Sequence, residues 1–196
     1  IRDDLVTGVQ TCALPIWVLI TWSEPHPDKA GADLADIARE WGLDMDATVD
    51  RLLPAGAIYF QMDEADLRRV LSHPGAMVGS DGIPHDLKPH PRLWGTFPRV
   101  LGHYARDEGL FPLETAIHKM TGLTARVFGL EGRGVIAAGA FADLVLFNPD
   151  TVIDRANFEE PTRPSAGIDR VFVNGHEVWR NEAPSGAKPG RVLKRA

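Results

Sequence analysis

Between Trp17 and Gly79 short apolar runs alternate with segments of helical period, and that order restricts the folds open to the chain. Trp17 to Trp22 reads as a buried strand, broken by Pro25 and Pro27. Ala32 to Trp41 sets Leu34, Ile37, Ala38 and Trp41 at helical spacing, and Gly42 ends that helix. Asp44 suits the cap of a second helix, Met45 to Leu53, with Val49, Leu52 and Leu53 on one face. Ala57 to Phe60 is a second short strand, Asp63 caps a helix from Glu64 to Leu71, and Ala76 to Gly79 is a third strand. Strands separated by helices predict an α/β fold with parallel pairing and crossover helices.

The third strand runs straight into Ser80-Asp81-Gly82. In barrels of parallel strands, catalytic groups sit where a strand gives way to its loop. Asp81 stands in that place, although an Asp after a strand is more commonly a turn or cap residue, and the pattern leaves both roles open. Gly79 and Gly82 are expected to let the backbone turn sharply and a substrate approach closely. The connection from Gly82 to Gly95 carries Pro84, Pro89 and Pro91 beside His85, Asp86, Lys88, His90 and Arg92. That is the composition of a binding loop more than of a spacer. Arg92 can grip a substrate or form a structural ion pair. His85 and His90 can touch substrate or metal, or stay solvated or packed. His26, His73, His103, His118 and His176 have no ligand-like spacing.

Beyond the loop, Phe97 to Asp107 and Pro112 to Phe128 read as two longer helices, the second with a core stripe of Leu113, Ala116, Ile117 and Met120. From Gly132 the texture turns β-rich. Ala142 to Phe147 reads as a strand whose Asp143 bonds its own turn. Val171 to Val173, Asn174-Gly175 and His176 to Trp179 give a hairpin signal. A lone hairpin is marginal in water, so further strands are expected.

The 196 residues are 44% hydrophobic and 24% charged, ordinary values for a globular chain. A net charge of -6 provides no basic surface for nucleic acid, and Arg191, Lys194 and Arg195 do not reverse it. No window approaches the roughly 20 apolar residues that span a bilayer. The one cysteine, Cys12, excludes an internal disulfide, so a cytoplasmic protein is expected. Val6 to Ile16, V-T-G-V-Q-T-C-A-L-P-I, can be back-translated into a nucleotide sequence that resembles a common sequencing-adapter oligonucleotide read in frame. Residues 1–16 are therefore expected to be a library artefact, with native sequence starting near Trp17.

Several of these motifs together resemble one family. Ser80-Asp81-Gly82, His90-Pro91-Arg92, Gly95-Thr96-Phe97-Pro98-Arg99, the helix Glu114 to Thr121 and Gly186 to Arg191 are similar to the C-terminal part of the N-acyl-D-amino-acid deacylases, or D-aminoacylases. These belong to the metal-dependent amidohydrolase superfamily. The Gly134 to Phe147 stretch resembles the closing β-domain of the superfamily at large. The resemblance implies an α/β fold: the C-terminal portion of a metal-dependent (β/α)8 amidohydrolase barrel over residues 17–130, then part of a small β-sandwich domain over 131–196.

The resemblance further implies zinc-dependent hydrolysis of an N-acyl-D-amino acid, a small-molecule substrate, to a D-amino acid and a carboxylate. Asp81 matches the family carboxylate that takes a proton from the metal-activated water and hands it to the leaving amine. It also stands as a ligand of a weak or second metal site. Arg92 matches the arginine that holds the substrate α-carboxylate, a task suited to a guanidinium fork; Ser80, Gly82 and His90 are expected to line the substrate beside it. The family's main metal ligands and its substrate lysine lie in upstream barrel strands, and a whole barrel takes roughly 250 residues. The chain by itself is accordingly expected neither to bind zinc tightly nor to turn over substrate, and to be prone to aggregate through open edges. Rival readings are an amidohydrolase of D-dipeptides or cyclic amides, and a non-catalytic β-rich binding module.

Overall fold

The computed structural model describes residues 17–83 and 86–193. The suspected head with Cys12, and also His85, Lys194 and Arg195, lie outside the described residues. The chain divides into two compact units, one of residues up to Asp63 with 86–88, the other of 64–83 with residues from Pro89 onward.

In the first unit, strand β1 (Trp17–Ser23) is followed by a 3-10 turn at Pro27–Lys29, helices α1 (Leu34–Trp41) and α2 (Met45–Leu52), and strand β2 (Ala55–Phe60). Gly42 and Asp44 bound the helices as expected, whereas Asp33, expected inside the first helix, is its cap. The Asp33 carboxylate accepts the N–H groups of Ala35 and Asp36, that of Asp44 accepts Ala47 N–H, and Gly42 ends α1 at φ 65. Ile20, Leu34, Ile37 and Leu52 form the core, each worth about 1.5–3 kcal/mol relative to exposure. The buried face of α2 is Thr48 and Leu52, whereas Val49 and Leu53 are exposed. The expected parallel pairing does not hold here: β1 and β2 are antiparallel, with Trp17 opposite Phe60 and Ser23 opposite Ala55. The two strands are joined by two helices and not by the single crossover helix of a βαβ unit, so the parallel sense which that unit imposes does not apply.

The second unit opens with α3 (Glu64–Ser72). The third expected strand is absent: residues 76–83 are irregular. A strand needs a neighbour for its amides, and Val78 N–H instead donates to the carbonyl of Lys119 at 3.3 Å. The first long helix starts earlier than expected, as α4 (Arg92–Arg99), and continues as a π-helix over Val100–Asp107. Pro98 supplies no amide hydrogen to the ladder there. Gly102 lets the π-helix close on the next segment, since a Cβ at that position would stand 2.2 Å from the Val152 carbonyl oxygen. The second long helix is split at Thr121 into α5 (Leu113–Met120) and α6 (Gly122–Phe128). Val100, Leu101, Tyr104, Phe111, Ala116 and Val152 make the core, with Leu67, Leu71 and Val78 packed on it.

The β-rich half forms an antiparallel sheet in the order β3 (Leu144–Phe147), β4 (Ile168–Val173), β5 (His176–Arg180), β6 (Ala183–Pro184). The Asn-Gly hairpin is present, with Asn174 at φ 48 and Gly175 at φ 80, the left-handed pair that a two-residue turn requires. Asp143 bonds its own turn only through its backbone N–H, which donates to the Phe141 carbonyl at 2.9 Å. Its carboxylate accepts the Asn174 amide N–H at 2.8 Å and pairs with Arg133, bracing the hairpin from outside. The Asn174 side chain accepts from Arg133 at 2.9 Å and donates to the Pro189 carbonyl at 2.7 Å. Asn174→Ala therefore strands these partners and removes the side-chain amide whose bonds offset the positive φ. A loss of about 2–3 kcal/mol is expected, measured as a lower urea midpoint, with Asn174→Asp retaining part of it.

Candidate active site

The irregular stretch ahead of α4 brings Asp81, His90 and Arg92 together. Arg92 stands in the first turn of α4 and reaches back across the loop. Its Nε donates to the Asp81 carbonyl oxygen at 3.1 Å and its Nη2 to Asp81 Oδ2 at 2.8 Å. One edge of the guanidinium thus holds both the main chain and the side chain of Asp81. The opposite edge, Nη1 with the second Nη2 hydrogen, is engaged by none of the described residues, and neither is Asp81 Oδ1. The Asp81 side chain is 79% exposed, so the pair adds little to stability. Its interest is chemical.

The His90-Pro91-Arg92 order has a local reason. His90 Nδ1 accepts the backbone N–H of Arg92 at 3.0 Å, which caps the start of α4 as an Asx side chain would. Pro91, with φ -55, needs no partner for an amide hydrogen. The Thr96 hydroxyl donates to the Arg92 carbonyl at 2.6 Å. With Nδ1 an acceptor, the neutral ring carries its proton on Nε2. The ring meets Phe158 edge-on at 5.3 Å between centroids. Burial first, then the Arg92 charge, push the His90 pKa from 6.5 down to about 4, against an opposing pull from Asp81.

The glycines act differently from the expectation. Neither Gly79 nor Gly82 has positive φ. Gly82 is needed for close approach, because a Cβ there would lie 2.9 Å from Leu93 Cβ. Ser80 is exposed beside Asp81. Among the described residues, no three His, Cys, Asp or Glu side chains converge to hold a metal ion. Asp81 is thus one potential donor where a zinc site takes three or four, and the residues described here do not by themselves fit the ion.

Sequence reasoning passed over Phe158, Leu93 and, above all, Lys119. The signal for Lys119 was its place three residues after Ala116 on the buried face of α5.

The amidohydrolase family profile matches residues 24–179. The chain belongs to the amidohydrolase family. Within it, the chain is 60% identical over 177 residues to a D-aminoacylase of Alcaligenes xylosoxydans xylosoxydans, covering 90% of this chain and 37% of that protein. A crystal structure of D-aminoacylase superposes with a TM-score of 0.90 at 57% identity, over 93% of this chain and 39% of the other. The N-acyl-D-glutamate deacylase of Bordetella bronchiseptica, complexed with zinc and a phosphonate mimic of the tetrahedral intermediate, superposes at 0.86 with 56% identity, over 91% and 37%. The chain thus spans little more than a third of these relatives. Its fold is the α/β one expected of the C-terminal portion of an amidohydrolase barrel with part of the small β-domain. Among the described residues, no helix of this amidohydrolase is long and apolar enough to cross a membrane.

The His90 geometry makes a pH prediction. The unfolded chain takes up the imidazole proton near pH 6.5, but the folded chain only near 4. The contribution of the neutral ring is therefore whole above pH 6.5 and declines as pH falls, levelling off below about 4. His90→Asn keeps an acceptor for Arg92 N–H and does not titrate. Urea midpoints between pH 7.5 and 4 are expected to fall less steeply in His90→Asn than in the parent; equal slopes would contradict this role.

Proposed function

We propose that this chain, as part of a longer protein, supplies the proton carrier and the carboxylate grip of a cytoplasmic enzyme that hydrolyses N-acyl-D-amino acids to a D-amino acid and a carboxylate. Zinc, found in the Bordetella relative, would be held chiefly by residues beyond those described, with Asp81 at most one of its ligands. The observation that carries the reading is the two-edged use of Arg92. One edge fixes Asp81, and the other leaves two parallel N–H groups, the arrangement that a carboxylate accepts bidentately. A substrate α-carboxylate docked there would lie beside Asp81, and its acyl amide would be within the reach of that carboxylate.

Asp81 Oδ1 then accepts a proton from the attacking water as the carbon–oxygen bond forms. It returns that proton to the amide nitrogen as the carbon–nitrogen bond breaks, and the amine leaves neutral. Arg92 keeps Oδ2 occupied, so the proton is carried on Oδ1. His90, neutral with its proton on Nε2, and the exposed Ser80 are the further polar groups proposed to line the substrate. Gly82 lets Leu93 close behind the loop. In this reading residues 17–130 contribute the last barrel units and 131–196 part of the β-sandwich domain.

The full-length protein carrying these residues, loaded with zinc, is expected to hydrolyse N-acetyl-D-amino acids in preference to their L-isomers. Asp81→Asn should lower kcat roughly 10²–10⁴-fold. Arg92→Lys should mainly raise KM, and less so for substrates whose α-carboxylate is esterified, because lysine has no fork. A folded, zinc-loaded protein without D-preference, or an active Asp81→Asn, would refute the reading.

A further inference from the structure

Lys119 is 2% exposed, and it has no carboxylate partner among the described residues. Its ammonium donates to the carbonyl oxygens of His73 at 2.5 Å and Ala76 at 3.3 Å. The Phe111 ring stands 5.9 Å away. The backbone of the same residue completes the grip, because its carbonyl accepts the N–H of Val78. One residue of α5 therefore holds the chain at three points just before Ser80-Asp81. Burying an ammonium without a counter-ion is costly, and the burial pushes its pKa below the ordinary lysine value. A Met or Leu on that face would pack more cheaply. Both hydrogen bonds of the ammonium go to carbonyls of residues 73–76, and what they supply is a fixed path for that segment.

That path matters because the segment has no strand beside it. Without the Lys119 ammonium, the His73 and Ala76 carbonyls lose that donor, and the Val78 N–H, although it keeps the backbone carbonyl of residue 119, lies on a segment no longer tied down ahead of it. Downstream, the next fixed point is the Arg92 grip on Asp81. From these contacts we infer that Lys119 is a positioning residue for Asp81: it clasps residues 73–78 to α5 and so sets where the Asp81 carboxylate stands. The inference rests on the proposed role of Asp81. Lys119 itself touches no reacting atom.

Two measurements test it. In the full chain, Lys119→Met is expected to speed amide hydrogen exchange at Val78 and its neighbours, whereas exchange in the π-helix stays near the parent rate. In the zinc-loaded full-length protein, the same variant should lose roughly 10²-fold in kcat, the scale of an ångström of misplacement, with KM within about threefold. Lys119→Arg, which keeps the charge and the donors, should recover most of both. Phe111→Leu, which loosens the same core without touching the carbonyl oxygens of 73 and 76, should leave Val78 exchange and kcat near the parent values. If Lys119→Met does not fold, Lys119→Gln, too short to span both carbonyls, replaces it in both measurements. Parental kcat and parental Val78 exchange in a folded Lys119 variant overturn the inference, as does an equal loss in Phe111→Leu. An active Asp81→Asn with fast Val78 exchange in Lys119→Met instead removes the role of Asp81 and leaves the clasp standing.

Discussion

A backbone segment that leaves the sheet must find other partners for its amides and carbonyls, and residues 73–83 live under that constraint. Two helices meet it. Helix α5 accepts Val78 N–H and donates the Lys119 ammonium to the carbonyl oxygens of His73 and Ala76. Helix α4 sends Arg92 back to the Asp81 carbonyl oxygen. The carboxylate of the candidate site is therefore held by the helices that follow it in the chain, not by a ladder of strands. An irregular segment held in this way can pack Val78 on the core and still present Ser80 and Asp81 to solvent.

The same logic extends outward through the second unit. His90 caps the start of α4 with an imidazole nitrogen, so the helix that delivers Arg92 depends on a ring kept neutral by burial. The π-helix continues α4 and presses Gly102 onto the Val152 backbone, while Arg106 donates to the Val152 carbonyl at 2.8 Å. In the small sheet, Arg133, Asp143 and Asn174 form a polar brace around one turn. His90, Arg106 and Asp143 each spend a polar side chain on a backbone group outside regular secondary-structure pairing. Segments of irregular backbone, and with them arginine, lysine and histidine, therefore concentrate where the chain changes direction.

Much of this was legible from local chemistry. Gly42 ends one helix and Asp44 starts the next because one adopts a left-handed conformation and the other accepts an orphan amide, whatever surrounds them. Asn174-Gly175 made a hairpin for the same kind of reason. Asp81 and Arg92 stood out through their motifs, and the structure brings them into contact. The antiparallel sense of β1 and β2 was hidden, since apolar alternation marks strands but not their direction. The run Ala76-Met77-Val78 looked like a strand because burial, not pairing, is what an apolar run reports. Lys119 was passed over because a lysine on an amphipathic helix ordinarily faces water.

The sequence by itself determined the helix ends at Gly42 and Asp44, the hairpin turn, the membership of the amidohydrolase family and the two side chains around which the candidate site is built. These depend on residues within a few positions of one another, or on motifs matched as strings. Only the tertiary structure decided the direction of β2, the π register after Pro98, the hinge at Thr121, and the burial of Lys119 against residues 46 and 43 positions away. Those outcomes turn on which distant groups meet, and an unpaired carbonyl carries no mark in the sequence until a partner is brought within hydrogen-bond reach.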